Sequence, residues 1–259
     1  MNNQEKLMNQ YYSTHYSRIM PKTIEEWQWV IERIELNFGK FFDAIPRDSL
    51  ILDIACGVGY LEYYLLKKGF TKIHAIDLSE EQIKIAKNKL QEFRCDFSNK
   101  VKFYAIDAFE YLKTNLLPPP PSGIIKNSYT VIAMIDLLDH LEKDKVIEIL
   151  DLSKHALQDK GFICIRVSNA CTPMFPSFFY SDFTHKTPFT LSSIQQCFSL
   201  TGFKVINMNY EKIPKRRNKI GSIGQLNRFI RLIGLKLLGS FLGMPSAAFS
   251  RDLIAIGKK

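Results

Sequence analysis

The sequence predicts an α/β fold, a mostly parallel sheet with helices on both faces, and three observations carry that prediction. Short β-type runs at 50–54 (LILDI), 72–76 (KIHAI), 101–106 (VKFYAI), 129–135 (YTVIAMI) and 162–167 (FICIRV) alternate with helical stretches at 60–68, 79–93, 108–116 and 142–157. Such alternation builds βαβ units, whose right-handed crossovers set successive strands parallel. The runs are nearly continuously apolar, the pattern of strands covered on both faces. With 259 residues, 46% hydrophobic and 24% charged, the chain can also bury a sizeable core; a chain of this size hides roughly 70–75% of its unfolded surface.

Taken in order, residues 1–45 read as an N-terminal helical lid. Tyr11, Tyr12, Tyr16, Trp27, Trp29, Val30, Ile34 and Phe38 recur there at mixed three-to-four spacing. Pro46-Arg47-Asp48 breaks that pattern, and the strand–helix alternation of a core spanning 46–210 begins. Ser79, followed by Glu80, Glu81 and Gln82, is an N-cap with an acidic first turn. The four prolines at 118–121 fit neither a helix nor a central strand and read as a surface loop. Residues 169–189, rich in Pro and Phe and without a period, form a long loop expected at the acceptor side. A helix at 190–201, opened by Thr190 and closed by Gly202, leads to a strand-like run at 203–208. A basic insertion (211–249) precedes a final core strand within 250–259.

Five scattered cysteines (Cys56, Cys95, Cys164, Cys171, Cys197) make no disulfide framework, and no Cys/His cluster suggests zinc, so no metal is expected and a reducing cytoplasm suits the chain. The N-terminus has no apolar signal-peptide core. From Glu211 onward, eleven Lys/Arg stand against two Asp/Glu, whereas residues 1–210 carry 24 of each sign. The basic excess of +9 therefore lies wholly in the tail.

The first strand runs into Asp53-Ile54-Ala55-Cys56-Gly57-Val58-Gly59, a turn that lets a ligand approach backbone at the carboxyl end of a sheet. Glu62 occupies the place of the third glycine of a dinucleotide fingerprint. Asp53 lies at the turn, Asp77 ends the second strand and Asp107 ends the third. Three carboxylates at successive strand ends repel a pyrophosphate and suit a ligand with hydroxyls, an amine and positive charge. S-adenosylmethionine has that chemistry.

As a set, LDIACGVG, AIDLS, AIDAF and VIAMIDLLDHL resemble, in order and spacing, the motifs of the class I S-adenosylmethionine-dependent methyltransferases over about residues 48–210. The resemblance implies a Rossmann-like seven-stranded, mostly parallel sheet whose last strand is antiparallel. It also implies S-adenosyl-L-methionine as cofactor. On that pattern Ala55, Gly57 and Gly59 pass the methionine moiety and Asp53 orients the turn. Asp77, with Leu78 beside it, takes the ribose hydroxyls, and Asp107 with Ala108 meets the adenine edge. Ile135 and Asp136 line the cofactor side, with His140 nearby. Ala55 stands where glycine is usual, and Thr130 where an aspartate often opens the fourth strand.

Methyl transfer to a hydroxyl requires alignment and removal of a proton. Of five histidines, His74 and His155 read as structural and His15 lies in the N-terminal segment, leaving His140 and His185. His185 is favoured as general base. It sits in D-x-T-H-x-x-x-F-T (182–190), which resembles methyltransferases of bacterial polysaccharide and O-antigen synthesis, with Asp182 placed to orient its imidazole. Asp182 and Thr184 could equally build a turn, as Asp77 and Asp107 could be helix caps.

In the insertion, Ile223, Leu226, Ile230, Ile233, Leu237, Phe241 and Met244 form one apolar stripe with Arg228 and Arg231 opposite. Lys236 and three glycines disfavour a transmembrane span. The stripe can pack on the protein's own core, lie on a membrane through 215–245, or offer cations to RNA. The leading expectation is O-methylation of a sugar of a bacterial glycan, or of a small molecule, by a cytoplasmic enzyme held at the membrane periphery. RNA methylation and N-methylation of a small metabolite are the alternatives, together with a fold retained for binding alone. A nucleic-acid partner is disfavoured, because Ile135-Asp136-Leu137-Leu138 stands where an N-P-P-Y-like element would and no RNA-binding module is appended. No pattern names the acceptor or an oligomeric state.

Overall fold

The computed structural model describes residues 20, 21, 23–114, 128–214, 233, 234, 237–241, 243 and 245–259. Tyr11, Tyr12, His15, Tyr16, the prolines at 118–121, and Ile223, Leu226, Ile230 and Met244 of the stripe lie outside the described residues.

Helix α1 (Ile24–Asp43) is followed by β1 (Leu50–Ile54), α2 (Tyr60–Lys67), β2 (Lys72–Asp77), α3 (Glu80–Glu92), β3 (Val101–Ala105) and α4 (Ala108–Thr114). Then come β4 (Tyr129–Ile135), a 3-10 turn (Leu138–His140), α5 (Lys143–Ala156), β5 (Leu157–Ser168), α6 (Phe175–Phe179), α7 (Leu191–Thr201), β6 (Lys204–Tyr210), a second 3-10 turn (Ser246–Phe249) and β7 (Asp252–Lys258). The seven strands form one sheet in the order β3-β2-β1-β4-β5-β7-β6. β1 to β5 pair in parallel, and β7 is antiparallel to both neighbours.

Local chemistry sets the helix ends. Thr23 and Glu26 close a capping box on α1, Ser79 caps α3 by accepting from Gln82 N–H, and Thr190 with Ser193 caps α7. Gly202 ends α7 in the left-handed region at φ 70°. Two elements differ from expectation. β5 begins at Leu157, five residues before the apolar run, because Lys160 at φ 63° and a shift of pairing register let Gln158–Gly161 stay in the strand. The long loop after β5 contains α6, which Pro176 helps start.

Alternate residues of each central strand point to opposite faces and build two apolar layers. Leu52, Ile54, Ile132, Met134, Ile163 and Phe198 lie in one. Ile51, Ile73, Val131, Tyr64 and Phe70 lie in the other, where Ile34, Phe38 and Phe42 of α1 join them. The described part of the N-terminal segment thus covers one face of the sheet.

His74 of β2 is buried, with Nδ1 3.1 Å from the Tyr111 hydroxyl and 2.9 Å from the Tyr129 hydroxyl, which are 2.8 Å apart. Burial and the charge of Lys102 push its pKa down from 6.5 to about 4. The unfolded chain therefore takes up a proton that the folded chain refuses between those values, and stability falls as pH falls through that window. Denaturant unfolding should show the parent losing about 2 kcal/mol more than His74→Phe between pH 7.5 and pH 5. Equal losses would remove this account of His74.

Candidate functional site

The order β3-β2-β1-β4-β5 reverses direction between β1 and β4, and in sheets of this kind the crevice outside the strands' carboxyl ends at that reversal is where ligands bind. The turn after β1 is shaped for close approach. Ala55, Gly57 and Gly59 have φ of 62°, 55° and 89°. A Cβ on Gly59 would come within 3.0 Å of Ala86. Ala55 holds a conformation that glycine adopts freely and L-residues adopt at a cost of about 1–2 kcal/mol, which is the physical reason glycine is usual there.

Around the turn the acids are buried. Asp77 accepts from Gly57 N–H with Oδ2 and from Ser79 N–H with Oδ1, both at 2.9 Å, so it ties the turn to the end of β2. Burial raises its pKa against those two hydrogen bonds. Asp53 and Glu62 lie beside it, and both are buried. Burial, then the charges of Glu62 and Asp77, drive the Asp53 carboxyl well above its ordinary range. Burial pushes Glu62 up to about 7. Asp53 and Glu62 face each other as a proton-sharing side-chain pair, and Asp53 Oδ1 and both Glu62 carboxylate oxygens, all buried, find no donor elsewhere among the described residues. None of these three acids forms an ion pair among the described residues.

Asp107 is exposed, and its Oδ1 accepts from the Phe109 and Glu110 N–H groups at 2.9 and 3.0 Å, capping α4 and fixing Ala108 at the rim. Leu78 is 50% exposed beside Asp77, and Ile135 is partly exposed at the end of β4. Asp136 follows at φ 60°, paired with Arg166 of β5. Desolvation pushes its carboxyl up, but Arg166 overrides that and holds it below the usual range.

The second half of the site comes from the loops after β4 and β5. His140 and His185 stack with ring centroids 4.7 Å apart. The Thr184 hydroxyl donates to Asp182 Oδ1 at 2.6 Å and lies 2.8 Å from His140 Nδ1. His185 Nδ1 donates to the Phe179 carbonyl at 2.9 Å. Asp182 faces the ring from the other side, its Oδ2 3.8 Å from Nε2, while the contact at Nδ1 is the Phe179 carbonyl. Burial, then the charge of His185, lowers His140 to about 4.

Two participants escape a reading of the sequence. Glu62 looks like a displaced glycine, yet it is the third buried acid; the available signal was a charge flanked by Leu61, Tyr64 and Leu65 on the buried side of α2. Asp139 is buried and accepts from the Ser168 N–H and hydroxyl at 2.9 and 3.0 Å. Its own carbonyl accepts from the Lys186 and Thr187 N–H groups. It locks the loop of His140 against that of His185, and burial raises it to about 8.

The chain matches the family described as "Methyltransferase domain" over residues 26–207. It is 28% identical over 142 residues to the candidate methyltransferase YqeM of Bacillus subtilis, covering 54% of this chain and 51% of that one. The chain thus spans about half the length of that curated relative. A SAM-dependent methyltransferase from Archaeoglobus fulgidus superposes with a TM-score of 0.61 at 21% identity, over 90% of this chain and 94% of its own. Magnesium protoporphyrin IX methyltransferase from Synechocystis, with bound SAH, superposes with a TM-score of 0.62 at 14% identity over 100% of both chains.

A buried acid whose pKa is raised costs stability once pH rises past its unfolded value of 4.5 and through about 7. Thermal melts of the ligand-free chain should therefore place Glu62→Gln above the parent at pH 8, with the advantage vanishing near pH 4.5. An unchanged melting point at pH 8 would mean that Glu62 carries no electrostatic load.

Proposed function

We propose that this chain, which belongs to the methyltransferase domain family, binds S-adenosylmethionine at the carboxyl rim of its sheet and methylates an oxygen of a saccharide. The observation that carries the reading is the trio of buried acids around the glycine turn, which form no ion pair among the described residues and whose mutual repulsion a positively charged ligand at the turn would relieve. Gly57 and Gly59 leave backbone exposed to the methionine part. Asp77, whose oxygens each keep a second lone pair, takes the ribose hydroxyls. Leu78, Ala108 and Ile135 offer apolar contact to the base, and Asp107 stands at its edge. When bound, S-adenosylmethionine supplies a methyl already activated on a sulfonium, so the chain has only to align the acceptor oxygen and take up its proton.

The His140, Asp182 and His185 cluster is the group of side chains suited to that second task. With Nδ1 of His185 donating to Phe179, the neutral ring carries its lone pair on Nε2. On the same loop Tyr180 is 76% and Phe183 is 89% exposed, and aromatic faces of this kind stack on the apolar faces of sugar rings. Within the basic insertion, Leu237 is 66% and Phe241 is 85% exposed. That supports the lipid-facing use of the stripe and a saccharide acceptor carried on a membrane. Among the described residues no helix is long and apolar enough to cross a membrane.

Calorimetry should register binding of both S-adenosylmethionine and its demethylated product, and Asp53→Asn should weaken it. His185→Ala should lower turnover by about 100-fold or more without changing cofactor affinity. Mass spectrometry of surface glycans from cells lacking the protein should show one sugar without its methyl group; altered RNA nucleosides instead would sink the acceptor assignment.

Vesicles containing anionic lipid should co-sediment the chain in a salt-sensitive way, each cation near the surface contributing about 1 kcal/mol. The double variant Leu237→Ser, Phe241→Ser should stay in the supernatant. If it pellets like the parent, the insertion is not the contact.

A further inference from the structure

The cluster beside the cofactor crevice has a property that proton transfer alone does not need: each imidazole is locked by a protein oxygen on its Nδ1. At His185 that oxygen is the Phe179 carbonyl, which can only accept. At His140 it is the Thr184 hydroxyl, whose single hydrogen is given to Asp182. The ring must then be the donor, and a neutral ring held at Nδ1 carries its lone pair on Nε2. Imidazoles that ligate metal ions are oriented in this manner, with the far nitrogen tied to a carbonyl or to a hydrogen-bonded chain ending on a carboxylate. One donor atom each from His140, Asp182 and His185 lies within 4.8 Å of the other two.

We propose that His140, Asp182 and His185 form a binding site for a divalent first-row transition-metal ion. Two imidazoles and one carboxylate suit Zn²⁺ or Mn²⁺ better than Mg²⁺ or Ca²⁺, which favour all-oxygen shells. Metal–ligand distances of about 2.0–2.2 Å require the three side chains to close by on the order of 1 Å. They stand on loops, the turn after β4 and the segment after α6, whose backbones Asp139 holds together through Lys186 and Thr187. Three protein ligands leave at least one position for an oxygen from solvent or substrate. The role of the ion rests on the oxygen-acceptor reading above. With the ion bound, Nε2 of His185 is a ligand and no longer the base: a saccharide hydroxyl in the open position ionises more readily, its O–H bond breaking, the proton passing to water and the oxygen keeping the electron pair.

The test uses the full, untagged chain, stripped with a chelator and titrated with Zn²⁺ by calorimetry and with Mn²⁺ by electron paramagnetic resonance. The parent should take up a single equivalent and gain thermal stability in step. His185→Gln and His140→Gln should abolish that uptake while keeping the fold by circular dichroism. Thr184→Val should weaken it about tenfold or more. His155→Gln, at an exposed position on α5, should bind as the parent does. A parent that takes up neither ion, or uptake that persists in both cluster variants, overturns the proposal. Ion uptake is read without acceptor or turnover: a chain that binds the ion but leaves glycans unmethylated sinks the function above and leaves the site standing. A chain that takes up neither ion yet methylates glycans does the reverse.

Discussion

Burying Asp53, Glu62 and Asp77 together, with no ion pair to any of them among the described residues, is the constraint around which the rim is organised. A folded chain tolerates such a group only by holding protons it would otherwise lose, or by taking in positive charge from outside. The backbone pays part of the cost, with Gly57 and Ser79 donating to Asp77. What is left uncompensated has one sign and one location. A cationic ligand at this place, as proposed above, would relieve that repulsion and stabilise the fold by linkage.

A few residues along the same edge the opposite solution appears. Arg33 of α1 meets Glu211 at 2.5 Å and Asp252 at 2.9 Å, while Arg166 of β5 pairs with Asp136 and approaches Glu211 at 3.5 Å. Here two guanidiniums lie among three carboxylates, with Arg251 3.8 Å from Asp252 as a third cation, and removal of either Arg33 or Arg166 would strand buried carboxylates. This cluster fixes α1 to the ends of β6 and β7. The two acidic groups thus differ: one is neutralised by arginines and holds elements together, the other forms no ion pair among the described residues.

Strand positions were legible because parallel strands covered on both sides must be apolar throughout, and LILDI and YTVIAMI coincide with β1 and β4 residue for residue. The start of β5 was hidden because Gln158-Asp159-Lys160-Gly161 has the composition of a turn, and only pairing with β4 keeps it extended. At the site, Asp53, Asp77 and the glycine turn could be read because the acids end strands and topology brings strand ends to one rim. His140 and His185 could not be joined by spacing; they meet because β4 and β5 are neighbours. Asp182 pointed to His185 by its three-residue separation, and its Oδ2 does stand 3.8 Å from Nε2, but the sequence did not show that Thr184 takes Oδ1 and links it to His140.

The Arg33 clamp also marks where the basic insertion leaves the body and returns. Tyr210 pairs with Leu253, and Glu211 N–H reaches the Asp252 carbonyl at 2.9 Å, so the chain between them connects two neighbouring antiparallel strands whose facing ends are already held together. Closing a longer connection costs only about 0.6 kcal/mol per doubling. Its length and chemistry can drift through evolution, or be exchanged wholesale between relatives, while the doorway and the catalytic body stay as they are.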